Sequence, residues 1–317
     1  MSVIEIDDLT KDYGHGRGIF HINLSVNKGE CFGFLGPNGA GKTTTIRHMM
    51  GFIRPDRGCA KICGLDAWKH STELMNHVSY VPGEIAFPSL ATGTEFLKLQ
   101  ADFLGVKDFT YMNHIIELLQ LDPSANLKRM SKGMKQKTAI VAALMADREI
   151  LILDEPTTGL DPLMREAFLE LIREEKKRGK TIFMSSHIFE EIEEVCDRVA
   201  MIRDGRIVDT IALYQLRHWE TKHFDLTFAT DEDLRGFLME WKRNGGRDSD
   251  NKDSGKQCVS STIEDTDAGK YSCSVELPKS ETGLLLRVLS NYTLTALHEE
   301  HLTLEQYFKK IYQKGER

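Results

Sequence analysis

Apolar and polar positions change their period several times along this chain. "VIEIDDL" (3–9) alternates, which predicts a half-buried edge strand, and "INLSVNKGE" (22–30) runs into a turn signal. "CFGFLG" (31–36) is apolar without a break, the pattern of a strand buried on both faces. The same pattern returns in "EILILDEP" (149–156) and "TIFMSSH" (181–187). "VAMIRDGRIVDT" (199–210) carries Asp204 and Gly205 at its centre, the signature of a hairpin turn. "LMREAFLELIREEKKRG" (163–179) repeats its apolar residues every three or four positions, as an amphipathic helix does. Buried strands separated by such helices predict an α/β layered core.

From about 73 to 146 the pattern reads as helix after helix, with "GTEFLKLQADFLGV" and "YMNHIIELLQLD" as its clearest stretches. This predicts a helical insertion between two buried strands. Beyond about 213 shorter strand and helix patterns alternate, from "HFDLTFAT" and "DEDLRGFLMEW" to "YTLTALHEEHLTLEQYFKKIY". We therefore expect a main domain over 1–215, with its helical part at about 73–146, and a small α+β domain over 216–317. "RNGGRDSDNKDSGKQ" (243–257) is polar and rich in Gly, Asp and Ser, and reads as a mobile surface loop.

Composition narrows the partners. Apolar residues are 41% and charged residues 28% of 317, an ordinary globular balance. The net charge of −7 gives no general basic field, so no nucleic-acid partner is expected. The six cysteines are scattered; Cys59 and Cys63 lack a second pair at metal-ligand spacing, and reduced thiols are the expectation. The opening residues "MSVIEIDDLTKDYG" carry acids where a signal peptide needs a basic start. No apolar run approaches the roughly 18 residues of a membrane helix. A soluble protein is expected, reaching a membrane only through a partner.

The chemistry begins at Gly36. Gly36, Gly41, Lys42 and Thr43 fit G-x-x-x-x-G-K-S/T, directly after a predicted strand and before a predicted helix. Glycines let the backbone curl so that the amides of Gly36, Pro37, Asn38, Gly39, Ala40 and Gly41, proline excepted, form a nest for phosphate oxygens. The next helix offers its free first-turn N–H groups, at Lys42, Thr43 and Thr44, to the same anion. Lys42 supplies charge for the β- and γ-phosphates, and the Thr43 hydroxyl is placed to hold Mg²⁺. At the end of "ILILD", Asp154 would hold the metal through water, and Glu155 would orient or deprotonate the attacking water. His187 closes another buried strand and could reach the γ-phosphate with a ring N–H.

Taken in order, "GPNGAGKT", "MSKGMKQK", "LILDEP", "GLDP" and "MSSH" resemble the motifs of the ATP-binding subunits of ABC transporters, over roughly residues 1–215. The resemblance implies a P-loop NTPase core with an antiparallel β edge and a helical insertion. It implies Mg-dependent ATP hydrolysis, with ATP sandwiched head to tail between two nucleotide-binding subunits, homodimeric or homologous. Ser131 and Gly133, at the start of a helix, would face the γ-phosphate of the opposite subunit; by itself Ser131 is a helix N-cap. Asp161 would link the two sites, and Tyr13 of "LTKDYG" would stack on adenine, or is a surface turn tyrosine. An integral membrane permease would be the other partner, which places the chain peripherally at the cytoplasmic face of a membrane. The carboxyl-terminal extension resembles that of drug- and antibiotic-export ATPases, so export is the expected direction. A nucleotide-dependent regulatory or non-transport member of the family is the alternative.

Two departures stand out. In "VSYVPGEIAF" Gly83 occupies the place where the family usually has a metal-reaching glutamine, with Glu84 next, either a substitute or a plain exposed acid. Lys132 and Met134 replace the usual glycine and glutamine of the signature, while Ser131 and Gly133 are kept.

Overall fold

A computed structural model describes residues 1–217, 221–243, 258–260, 271–300 and 303–314. The chain divides into two compact units, Met1–Leu213 and Tyr214–Arg317.

In chain order the first unit runs β1 (Ser2–Asp12), β2 (Gly18–Asn27), β3 (Cys31–Leu35), α1 (Lys42–Met49), β4 (Arg57–Ile62), β5 (Leu65–Asp66), α2 (Ser71–Leu74) and β6 (Val78–Val81). It continues with α3 (Gly93–Leu104), α4 (Thr110–Leu118), α5 (Lys132–Leu144), β7 (Ile150–Asp154), α6 (Pro162–Lys177), β8 (Thr181–Ser186), α7 (Phe189–Val195), β9 (Arg198–Arg203) and β10 (Arg206–Ala212). One sheet is antiparallel, in the order β2-β1-β4-β5. The other has the order β10-β9-β3-β8-β7-β6 and is parallel except for the β9–β10 hairpin. A single apolar core joins them: Ile4, Ile6 and Ile22 meet Ile46 and Met49 of α1, and these meet Phe34, Ile152 and Phe183. The helix after the glycine-rich loop is thereby clamped between two sheets. Every residue of β3, β7 and β8 is buried, as an unbroken apolar run demands.

Two expectations change. β1 is an interior strand, paired with both β2 and β4. Its alternation reports which face is buried and says nothing about the edges, since its partner β4 lies more than fifty residues on. The alternation also slips, from Ile4 and Ile6 to Leu9, at a bulge where Asp8 adopts φ 47°. Second, the stretch read as helix after helix holds one strand, β6, which pairs with β7 at the sheet edge. Around it α5 packs on β6, α3 and α4 pack on α5, and α4 packs on α6.

In chain order α8 (Leu213–Arg217) follows β10. The second unit holds β11 (Thr221–Phe228), α9 (Asp231–Arg243), β12 (Cys258–Ser260), β13 (Tyr271–Pro278), α10 (Thr282–Leu289), β14 (Leu294–Glu300) and α11 (Leu304–Lys314). Its antiparallel sheet has the order β12-β13-β11-β14, a split β-α-β pattern. Phe224, Leu226, Val275 and Leu277 bury one face of it against Phe237, Trp241, Leu285 and Val288 of α9 and α10. The stretch read as a mobile loop lies, apart from Arg243, outside the described residues. Among the described residues no helix is long and apolar enough to cross a membrane.

Candidate active site

β3 delivers the chain to Gly36 with no room to spare. A Cβ at Gly36 would stand 2.3 Å from the Ile202 carbonyl oxygen of β9, so this close pass needs glycine. The loop ends at Gly41, whose φ of 112° suits no L side chain and which caps α1. Pro37, Asn38 and Gly39 are exposed, while Ala40 is buried. The Ala40 carbonyl accepts from Gly205 N–H (2.9 Å), and the Gly205 carbonyl accepts from Phe20 N–H (2.7 Å). The β9–β10 turn thus staples the loop to β2. At the other end, Lys42, Thr43 and Thr44 precede the first bond of the helix, Thr45 N–H to the Gly41 carbonyl (2.9 Å). Their amides are the free donors of a helix N-terminus.

The carboxylates arrive from β7, whose last residue pairs in register with Ser185 of β8. Ser185 Oγ donates to Asp154 Oδ1 (2.7 Å) and accepts from Glu155 N–H (3.0 Å). Asp154 is fully buried, and no hydrogen bond of good geometry reaches its Oδ2, although the Thr43 hydroxyl stands beside the carboxyl. Burial pushes this carboxyl above its ordinary range, and the hydroxyls of Ser185 and Thr43 offset only part of that. A buried carboxylate oxygen lacking a donor, next to a threonine hydroxyl, is a hard-oxygen set of the kind Mg²⁺ takes. The residues present fit that ion.

Glu155 leaves the strand at φ 45°, a left-handed conformation costly for a residue with a side chain. Three groups converge on its carboxylate. Lys42 Nζ lies 3.0 Å from Oε1, His187 Nδ1 lies 3.2 Å from Oε2, and the Thr158 hydroxyl donates to Oε2 at 3.4 Å. Lys42 is 4% exposed and also donates to the carbonyls of Gly36 (2.6 Å) and Pro37 (3.1 Å). Burial opposes ionisation of Glu155, but the hydrogen bond and charge of Lys42, with His187 behind them, outweigh it and hold the carboxyl below its usual value.

One cavity of about 680 Å³ gathers half of the site residues singled out in the sequence: Tyr13, Asn38, Gly39, Gly41, Lys42, Thr43, Thr44 and Glu155 line it, while Gly36, Pro37, Ala40, Asp154 and His187 do not. Tyr13 is half exposed at its rim, on a turn closed by Tyr13 N–H to the Arg17 carbonyl (2.8 Å). Gly83 and Glu84 line the same cavity. Glu84 is 92% exposed and lies 3.7 Å from Arg47, so it points at solvent more than at Asp154.

Ser131, Gly133 and Asp161 are not in this cavity. Ser131 caps α5, accepting from Met134 N–H (3.2 Å), and Asp161 caps α6, accepting from Met164 N–H (3.0 Å). The two caps belong together: a Cβ at Gly133 would stand 2.8 Å from the carbonyl oxygen of Gly159. The structure also brings in residues that the sequence did not single out. Arg17, Thr158 and the Asp204–Gly205 turn line the cavity, and Ser185 joins the two carboxylates. The turn was legible as a hairpin, and the "MSSH" run contains Ser185, but neither signal carries the strand register that places them here.

Residues 19–158 match the family model described as ABC transporter. The chain is similar to the bacitracin transport ATP-binding protein BcrA of Bacillus licheniformis, with 36% identity over 242 residues, 75% of this chain and 79% of that one. It is 37% identical over 213 residues to the Nod factor export ATP-binding protein I of Burkholderia orbicola (strain AU 1054), 65% of this chain and 70% of that one. Among solved structures, an ATP-binding subunit of an ABC transporter matches at 32% identity with a TM-score of 0.61, covering 68% of this chain and 92% of that chain.

Proposed function

The chain belongs to the ATP-binding subunits of the ABC transporter family, and from that premise we propose that it hydrolyses ATP to drive export through a separate membrane permease. The observation that carries the catalytic part is the convergence of Lys42 and His187 on the Glu155 carboxylate, at the wall of a cavity floored by the phosphate loop. The triphosphate lies along the amides of Asn38 to Thr44, and Tyr13 at the rim stacks on the base. Phosphate oxygens compete with Glu155 for the Lys42 ammonium, which leaves Glu155 and His187 to hold the attacking water. Thr43 and, through water, Asp154 would hold Mg²⁺, which would supply charge neutralisation at the transferred phosphoryl group.

Two copies, or this chain and a homologous one, close over the nucleotide. Ser131 and Gly133 support this reading because they present a helix N-terminus outside their own chain's cavity, free to meet a partner's γ-phosphate. Asp161, packed beside them through Gly159, relays one site's state to the other. A nucleotide that touches both halves only when they are closed shifts the population toward closure, and hydrolysis releases it. Export is supported by the printed name of the Nod factor relative, and transport by that of the bacitracin relative. The permease partner would hold the chain peripherally, at the cytoplasmic face of the membrane.

The test is Glu155→Gln. It keeps a hydrogen-bonding side chain but removes the base, so turnover falls about hundredfold or more while ATP binding persists and a closed dimer accumulates in size-exclusion runs. ATP hydrolysis at the parental rate by this variant ends the assignment of Glu155.

A further inference from the structure

We propose that Ser185 is a positioning residue for ATP hydrolysis, its single hydroxyl fixing the Asp154 and Glu155 carboxylates relative to one another. The inference rests on the ATPase reading above and adds to it a residue outside the phosphate loop and the acid pair. A serine hydroxyl has one proton and two acceptor sites. Here Oγ accepts from Glu155 N–H (3.0 Å), so its own proton is committed to Asp154 Oδ1 (2.7 Å). Both consequences are geometric. Asp154 is anchored through Oδ1, which leaves Oδ2 as the oxygen without a hydrogen-bond partner, on the side of Gly83. Glu155 is held in its left-handed turn, because the ladder between β7 and β8 ends at the Asp154–Ser185 rung and the next N–H is taken by a side chain. That turn is what aims the Glu155 carboxylate at Lys42 and His187 rather than along the strand.

The neighbouring serine does a different job. Ser186 Oγ donates to Glu191 (2.9 Å) and accepts from Ile188 N–H (3.0 Å), on the other face of the strand. Ser185 itself is fully buried. Without its hydroxyl, Asp154 Oδ1 and Glu155 N–H are stranded together in a site that water does not reach, and both groups must turn to find partners.

The experiment uses the full chain with Ser185→Ala, Ser185→Cys and Ser185→Thr, measuring ATP turnover and, separately, binding of a fluorescent ATP analogue with EDTA and with magnesium. Alanine and cysteine, the latter nearly isosteric but a weak donor, are expected to lower kcat about tenfold to a hundredfold, with KM within about twofold. Threonine keeps the hydroxyl and restores most of the rate. Metal-free nucleotide binding stays within about twofold of the parent in all three, while the gain in affinity on adding magnesium shrinks in the alanine and cysteine variants. Parental kcat in the cysteine or alanine variant overturns the proposal. So does a threonine variant as slow as alanine while binding metal-free nucleotide normally, or a loss that appears in KM alone. Glu155→Gln is run alongside: if it keeps the parental rate while the Ser185 variants lose theirs, the assignment of Glu155 has failed and the role of Ser185 stands through Asp154; if all of them keep it, both have failed.

Discussion

Gly83 shows how one missing side chain can be a fit rather than a loss. The family usually has a glutamine there, which invites the reading that this chain lost a metal contact. A Cβ at residue 83 would stand 3.1 Å from Asp154 Oδ2, tighter than ordinary packing allows. With Asp154 tied to Ser185 on its other oxygen, the carboxylate has little room to give way. Gly83→Gln is therefore expected to impair rather than restore: ATPase rate falls severalfold, and the magnesium dependence moves to higher concentration in a titration of turnover. A gain in rate would show that Asp154 can shift and that the glycine is a true deficit. Glu84, exposed and 3.7 Å from Arg47, turns toward solvent in this arrangement.

Helix ends and helix burial carry the predictions at the next scale up. Ser131 caps α5 whether or not a phosphate ever meets it, and the two roles separate by substitution. Ser131→Ala costs about 1 kcal/mol of cap energy, whereas Ser131→Gly costs only a few tenths, because glycine also tolerates the cap conformation. If the hydroxyl faces a partner's nucleotide, both variants lose turnover alike while only alanine lowers the melting temperature measurably. On α1, burial leads in holding the His48 ring below its usual pKa, with Lys11 adding to it against the Thr44 and Arg54 carbonyls and Asp56. Nδ1 meets the Thr44 carbonyl at 2.7 Å. The folded ring takes up a proton at lower pH than the unfolded chain, whose histidine does so near pH 6.5. Stability from this residue is thus present above about pH 6.5 and lost as the pH falls toward the folded value. His48→Asn, which cannot titrate, is expected to flatten the parent's loss of stability between about pH 7 and 5 in denaturant melts. These elements differ in how much of them the sequence disclosed. Strands β3, β7 and β8 and helix α6 were legible because burial on both faces, or on one stripe, writes itself into a local period. The interior place of β1 was not, since pairing such as Ile4 with Ile62 joins residues far apart in the chain. The loop with Lys42 and Thr43 and the acid pair could be read from motif spacing alone. Ser185 could not, because only the register of β7 against β8 makes it their neighbour.

The two units have separate cores, one built on α1 between two sheets and one on α9 and α10 against a single sheet. Calorimetry on the full chain is expected to resolve two transitions, and ATP with magnesium to raise only that of Met1–Leu213, since ligand stabilises the unit that binds it. A single transition that moves as a whole would show the units unfold as one. Finally, the phosphate loop and the Ser131 helix end occupy different places on the same chain. If each working site draws one half from each subunit, two dead proteins can rescue one another. A Lys42→Ala chain still donates a sound Ser131 end, and a Ser131→Arg chain still donates a sound loop. Mixed together, they form heterodimers with one whole site and one doubly broken site, and some hydrolysis returns where neither stock had any.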